Sequence, residues 1–63
     1  MGYKIKERRE ELRMSQQELA DKAGVTRQTI SLIETGKLEN VTLGTMNAIA
    51  TALDSTVSEI FLQ

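Results

Sequence analysis

The chain has 63 residues, a formal net charge of −1, and neither cysteine nor histidine, so residues 1–63 have room for a single small domain with one compact core. Without those two residue types the chain lacks disulfides, thiolate chemistry, most zinc ligands and the usual general base, and we expect no enzyme activity, metal or cofactor. A composition of 40% hydrophobic and 27% charged residues without proline is typical of a soluble helical domain.

The basic residues are concentrated in the N-terminal half. Residues 1–13 hold five lysines and arginines against three glutamates, whereas residues 38–63 hold three acidic residues and no lysine or arginine. Binding to nucleic acid would therefore depend on a local basic patch. No apolar run approaches the roughly 20 residues that span a bilayer, and the N-terminus lacks an apolar signal segment. We therefore expect a cytoplasmic protein with no membrane partner.

The first predicted helix covers residues 3–13. Ile5, Arg8 with Arg9, and Leu12 recur at the spacing of one helix face, while most other positions are Lys, Arg or Glu. This pattern predicts a surface helix with a narrow apolar stripe.

The second predicted helix begins at Gln16, after a capping box formed by Ser15 and Glu18. In such a box the serine oxygen accepts a backbone N–H of the first turn, and the glutamate reaches back to the serine N–H. Small and apolar residues at positions 19, 20 and 23 share one face. The helix ends at Gly24, which readily adopts the left-handed conformation found at helix C-termini.

The third predicted helix covers residues 27–35, with Thr26 as its N-cap and Ile30 and Ile33 spaced for burial. Gly36 closes this helix. The residues that follow, up to position 41, show no helical period, which indicates a loop.

Two more helices complete a predicted all-α fold of five short helices. Thr42 is placed to cap the fourth helix, and a second capping box, Thr56–Glu59, precedes a short final helix that ends in Ile60, Phe61 and Leu62. The apolar stripe of the fourth helix consists of Leu43, Met46, Ile49, Ala50 and Leu53.

The turn at Gly24 joins two helices over about three residues, the length found in a helix-turn-helix. The small Ala20 permits close approach of the helices, and Val25 is expected to point inward. These features fit a helix-turn-helix, and they equally fit an ordinary helical hairpin of a small bundle.

The stretch "SQQELADKAGVTRQTISLIETGK", residues 15–37, resembles the core of the phage-repressor and Cro-type helix-turn-helix family, also called the XRE family. The flanks agree, since "IKERREELRMS" resembles the first helix of that family and "TLGTMNAIATALDSTVSEIF" its fourth and fifth. The resemblance spans nearly the whole chain. It implies a compact five-helix lambda-repressor-like domain whose helices 2 and 3 form the helix-turn-helix.

The resemblance implies a sequence-specific, double-stranded DNA-binding transcriptional regulator of Cro or repressor type, from a bacterium, phage or mobile element. Its recognition helix, residues 27–35, would lie in the major groove of an operator. The expected base contacts are Arg27, Gln28, Ser31 and Leu32. Arginine suits guanine and glutamine suits adenine. Without the resemblance, the alternative that both are simply solvated residues of a first helical turn would be favoured.

Leu32 and Glu39 depart from the family pattern. The position of Leu32 is often polar or basic in the family, and a leucine there can contact a thymine methyl group or mark a surface turned toward protein. Glu39 stands in a loop where phosphate contacts are often made, which weakens the expected DNA affinity.

Phosphate contacts are expected at the start of the second helix, whose free N–H groups and positive dipole end suit a phosphate. The resemblance implies a second set just after the recognition helix. By resemblance, Gln16 also buttresses Gln28, and Arg9 pairs with Glu34 in a partly buried structural salt bridge. Lys37 is otherwise an ordinary exposed lysine. The expected phosphate contacts are Gln16, Gln17, Thr29, Thr35 and Lys37.

A single recognition helix covers few base pairs, so we expect a weak homodimer, with Ile60, Phe61 and Leu62 as candidate contacts. Alternatively, Ile60 and Phe61 complete the core of the monomer. No small-molecule effector site is expected. The alternative function is a protein-interaction module of the same fold, for example an antitoxin component; Leu32, Glu39 and the acidic C-terminal half favour it.

Overall fold

The computed structural model describes residues 3–38 and 40–62, so Glu39 lies outside the described residues. In this part of the chain there are five α-helices and no strand, which confirms the predicted all-α fold. The helices are α1 (Ile5–Glu11), α2 (Gln16–Ala23), α3 (Arg27–Glu34), α4 (Leu43–Ala52) and α5 (Val57–Phe61).

Four of the helices begin where the sequence places a side-chain cap. Ser15 Oγ accepts a hydrogen bond from the Glu18 N–H at 3.0 Å, and the Glu18 carboxylate accepts one from the Ser15 N–H at 2.9 Å, which completes the predicted capping box. The hydroxyls of Thr26, Thr42 and Thr56 each accept the N–H three residues ahead, at 3.1 to 3.2 Å. These bonds satisfy donors that a helix start leaves free.

Four residues with positive φ shape the links between helices. Gly24 ends α2 at φ 72°, and Gly36 follows α3 at φ 77°. Arg13 and Asp54 adopt φ 54° without being glycine. The left-handed conformation at Arg13 shortens the first helix, which ends at Glu11 instead of reaching position 13.

One core fills the space between the helices. Tyr3 packs its ring against Phe61 with centroids 4.8 Å apart, and the Lys4 N–H donates to the Ile60 carbonyl at 3.1 Å, so these two residues before α1 are held against α5. The buried side chains are Ile5, Leu19, Ala20, Ile30, Ile33, Ile49, Ala50, Leu53, Ile60 and Phe61.

Four expectations about apolar residues are corrected. Leu12 is 37% exposed because α1 ends before it, and Leu43 is 66% exposed because it stands at the first turn of α4, outside the core. Ile60 and Phe61, expected as dimer contacts, are 2% and 6% exposed and belong to the core of the chain itself. Of the three candidates only Leu62, at 66% exposure, offers its side chain to a partner.

No helix in the described segments combines the length and apolar character needed to cross a membrane.

Candidate functional site

The α2–α3 unit is held in place from one side by the core. Helix α2 packs against both α3 and α4, and its Leu19 and Ala20 are completely buried in the core. Two features shape the turn between the helices. Gly24 adopts a positive φ, and the Val25 N–H donates to the Ala20 carbonyl at 3.0 Å. A Cβ at Gly24 would meet no atom within 4 Å. The positive φ, and not a lack of space, therefore selects glycine there.

The outer side of α3 presents five side chains away from the buried Ile30 and Ile33, because successive helical residues are rotated by about 100°. Arg27 and Gln28, in the first turn, are exposed. Within residues 3–38 and 40–62 neither side chain has a hydrogen bond or ion pair, so both are available for a ligand. We refer to these five residues as the outer face of α3: Arg27, Gln28, Ser31, Leu32 and Thr35.

Two threonine hydroxyls at the ends of α3 have hydrogen-bond partners inside the protein. Thr35 Oγ1 donates to the carbonyl of Ser31 at 3.0 Å and lies 3.3 Å from that of Leu32. Thr29 Oγ1 lies 2.9 Å from Thr26 Oγ1 at the N-cap. The Thr35 hydroxyl proton is therefore used within the helix, whereas either threonine of the Thr26–Thr29 pair could be the donor. To donate to a phosphate, Thr35 would have to exchange its internal bond, and Thr29 would have to do so only where it donates to Thr26.

The two glutamines that open α2 have different partners. Gln17 is exposed, and its amide donates to Asp21 Oδ1 at 2.9 Å. Gln16 is half-buried, and its amide donates to Glu34 Oε1 at 2.9 Å. The Gln16 amide thus bonds a charged acceptor, and no bond between Gln16 and Gln28 is present among the described residues, so the expected support of Gln28 stays a prediction.

Arg9 and Glu34 form an ion pair between α1 and α3. Arg9 Nε lies 2.7 Å from Glu34 Oε2, and Arg9 Nη2 lies 3.4 Å from Glu34 Oε1. Arg9 Nη1 also donates to the Met14 carbonyl at 2.8 Å. The two side chains are 11% and 3% exposed. With Gln16, the pair links the end of α1 and the start of α2 to the end of α3.

Lys37 is exposed just beyond α3, and its N–H donates to the Leu32 carbonyl at 2.9 Å. Its ammonium group has no ion-pair partner within the described residues. Arg27 and Lys37 thus place positive charges at the two ends of the outer face of α3. The negative charge of Glu34 is buried beside Arg9, so it does not offset them at the surface.

Hydrogen bonds at two helix caps lower the pKa of a glutamate carboxyl group. The hydrogen bond from the Ser15 N–H lowers the pKa of Glu18, and the Ser15 hydroxyl adds to this effect. The hydroxyls of Ser55 and Thr56 lower the pKa of Glu59. In both cases the hydrogen bonds favour the ionised form, so these groups stabilise helix starts and have no proton to supply near neutral pH.

Arg8 is a structural residue that the sequence analysis did not identify. Its Nε donates to the Leu53 carbonyl at 2.9 Å and its Nη2 to the Asp54 carbonyl at 3.3 Å, where α4 ends. Its Nη1 pairs with Glu11 at 3.2 Å. The available signal was an arginine in the apolar stripe of the first helix.

Arg8 also lines a groove of about 580 Å³ between α1 and the α4–α5 link. Its walls carry charges of both signs, and none of its lining residues belongs to α2 or α3. The groove is therefore separate from the outer face of α3.

A protein-family model described as helix-turn-helix matches residues 5–60. The chain is 39% identical over 62 residues to an uncharacterized HTH-type transcriptional regulator of Archaeoglobus fulgidus. The aligned segment covers 98% of this chain and 86% of that relative. It is 54% identical over 33 residues to another, from Methanothermobacter thermautotrophicus, over 52% of this chain and 48% of the relative.

Among solved structures, a chain of the SinR protein/SinI protein complex superposes with a TM-score of 0.80 at 35% sequence identity. The match covers 86% of this chain and 52% of the solved chain, so the present chain spans about half of that relative's length.

Proposed function

The chain belongs to the helix-turn-helix family of transcriptional regulators, XRE type, and from this premise we propose that it binds double-stranded DNA sequence-specifically through α3. One observation carries the proposal: Arg27 and Gln28 are exposed in the first turn of α3 and have no partner within the described residues. In helix-turn-helix proteins the N-terminal residues of the second helix contact base edges in the major groove.

The base contacts follow from side-chain chemistry. The Arg27 guanidinium suits O6 and N7 of guanine, and the Gln28 amide suits N6 and N7 of adenine. Each such pair contributes about 1–3 kcal/mol of discrimination against other bases. Ser31 lies one turn further along the same face and has a hydroxyl that can approach either base type.

Phosphate contacts would set the position of α3 without reading sequence. The N-terminus of α2 carries Gln17 at its exposed edge, and the second amide proton of Gln16 stays free after its bond to Glu34. Lys37 supplies a charge at the other end of α3. Thr35 would contribute only by giving up its internal bond, whereas Thr29 can donate while it accepts from Thr26.

Operator occupancy by two copies would extend the contact area, since one recognition helix covers few base pairs. Leu62, 66% exposed after α5, is the remaining apolar candidate for contact between copies. Sedimentation of the native protein and of a Leu62→Ser variant over the same concentration series tests this contact. If the native protein dimerises and the variant dimerises equally well, the contact is excluded. By occupying the operator, the dimer would repress transcription.

A protein-interaction module is the second candidate function. The apolar Leu32 on the outer face of α3 favours it, and the similar solved chain belongs to a complex of two proteins. The two candidates differ in their response to DNA, because only the first predicts binding that depends on base sequence.

Titration of the protein with random-sequence duplexes and with duplexes enriched by selection, across a salt series, tests the proposal. We expect enrichment of a defined site and a steep loss of affinity with salt, because bound phosphates release counterions. Absence of binding at low salt would contradict the proposal and favour the protein-interaction module.

A further inference from the structure

Leu32 is the apolar member of the outer face of α3. It is half-buried, yet it is not among the partly buried hydrophobic side chains that pack against the core. Its carbonyl accepts bonds from the Lys37 N–H at 2.9 Å and the Leu38 N–H at 3.1 Å, and the Thr35 hydroxyl lies 3.3 Å away. The backbone from which this side chain projects is therefore firmly held.

Gln28 lies one turn before Leu32 on the same face. Residues four apart are neighbours on a helix surface, and a helical side chain leans over the preceding turn. The methyl groups of Leu32 and the amide of Gln28 therefore form adjoining parts of one surface. This surface combines a donor and acceptor pair with an apolar contact.

Resting on the proposed function, we infer that Leu32 selects thymine by contact with its C5-methyl group, beside an adenine bound by Gln28. In the major groove, thymine differs from cytosine by this methyl group, and apolar side chains are the groups that contact it. Cytosine presents an N4 amino donor instead, for which Leu32 offers no acceptor. The preferred operator half-site thus contains an A·T step under the middle of α3.

The charges around Leu32 favour DNA over a protein partner. Arg27 and Lys37 flank it with exposed positive charges that have no ion pair within the described residues. Glu34, the acidic residue of α3, is buried against Arg9. An apolar contact framed by free cations is suited to a base edge between phosphates.

The test replaces each thymine of the selected duplex in turn by deoxyuridine, which removes the methyl group and keeps the base pairing. At the thymine that Leu32 contacts, the native protein should bind the uracil duplex about fourfold more weakly than the thymine duplex, because one methyl group is no longer buried. Leu32→Ala should bind the thymine and uracil duplexes equally at that position. The control Leu43→Ala, at a leucine of α4 that is 66% exposed, should retain the fourfold difference, and circular dichroism of both variants shows whether they fold.

The outcomes separate this inference from the proposed function. If the native protein selects a site but binds every uracil-substituted duplex equally, Leu32 does not read thymine, and the proposed function stands. If the methyl effect persists in Leu32→Ala, another residue reads the methyl group and the inference is overturned. If no duplex is bound selectively, both proposals fail, and Leu32 becomes the first position to test against a protein partner.

Discussion

The amide of Gln16 donates a 2.9 Å hydrogen bond to the carboxylate of Glu34, which joins the first turn of α2 to the last turn of α3. Arg9 donates to the same carboxylate from α1 at 2.7 Å. Three helices therefore meet at one ionised side chain that is 3% exposed. The angle of the helix-turn-helix depends on this junction as well as on the turn between its helices.

Replacing Arg9 by methionine should lower the free energy of unfolding by about 3–5 kcal/mol, because it leaves the charge of Glu34 buried without its cation. Thermal unfolding followed by circular dichroism measures the change. Lys6→Met, at an exposed position of the same helix, is the matched control and should have little effect. An Arg9→Met variant as stable as the native protein would show that the ion pair contributes nothing.

Glycine substitutions at two positions should have opposite effects. Gly24→Ala should destabilise the fold by about 1–2 kcal/mol, because alanine is strained at φ 72°. Gly44→Ala should stabilise it by up to about 1 kcal/mol, because Gly44 is in a helix and a Cβ there meets no atom within 4 Å. Urea denaturation of both variants checks the signs, and a stabilising Gly24→Ala would refute the account of the turn.

The starts of the helices could be predicted from sequence because capping is local. Ser15, Thr26, Thr42 and Thr56 each bond an N–H only three residues ahead, so their role depends on neighbouring residues alone. The buried stripes of α2 and α3 follow from the same short spacings.

Other features required the tertiary structure. Leu43 is exposed because the first turn of α4 lies outside the core. Phe61 is buried in the core, where its ring packs against Tyr3 from the other end of the chain. Likewise, the partner of Gln16 is 18 residues away, and that of Arg8 is 45 residues away. Local spacing carries no information about such contacts, so the spacing of apolar residues indicates which side of α3 is exposed but not which distant groups these side chains bond.

Arg8→Met should destabilise the end of α4, because the Leu53 and Asp54 carbonyls lose a charged donor. A loss of about 1–3 kcal/mol is expected for such bonds, at the lower end since the side chain is 32% exposed. Urea denaturation measures the loss. DNA affinity should stay unchanged in the folded variant, and a selective loss of DNA binding would contradict the separation of this groove from α3.

Stability should fall in acid partly through Glu18 and Glu59. Their pKa values are lowered in the folded state by cap hydrogen bonds, so their contribution is present above the ordinary value of 4.5 and is lost as pH falls through the folded values. Glu18→Gln should flatten the dependence of stability on pH in this acidic range. Unfolding midpoints at a series of pH values check this, and an unchanged slope would argue against the capping box.

The most direct test of the central claim is the ratio of affinities for a selected duplex and a scrambled duplex, measured for native protein and for Arg27→Ala/Gln28→Ala. The account predicts that the ratio falls at least about tenfold in the double variant, since each side chain contributes about 1–3 kcal/mol of discrimination. A Lys6→Ala/Asn47→Ala control removes one charge and one amide from exposed sites on α1 and α4, and should keep the native ratio. A double variant that keeps the native ratio would show that α3 does not read DNA through its first turn.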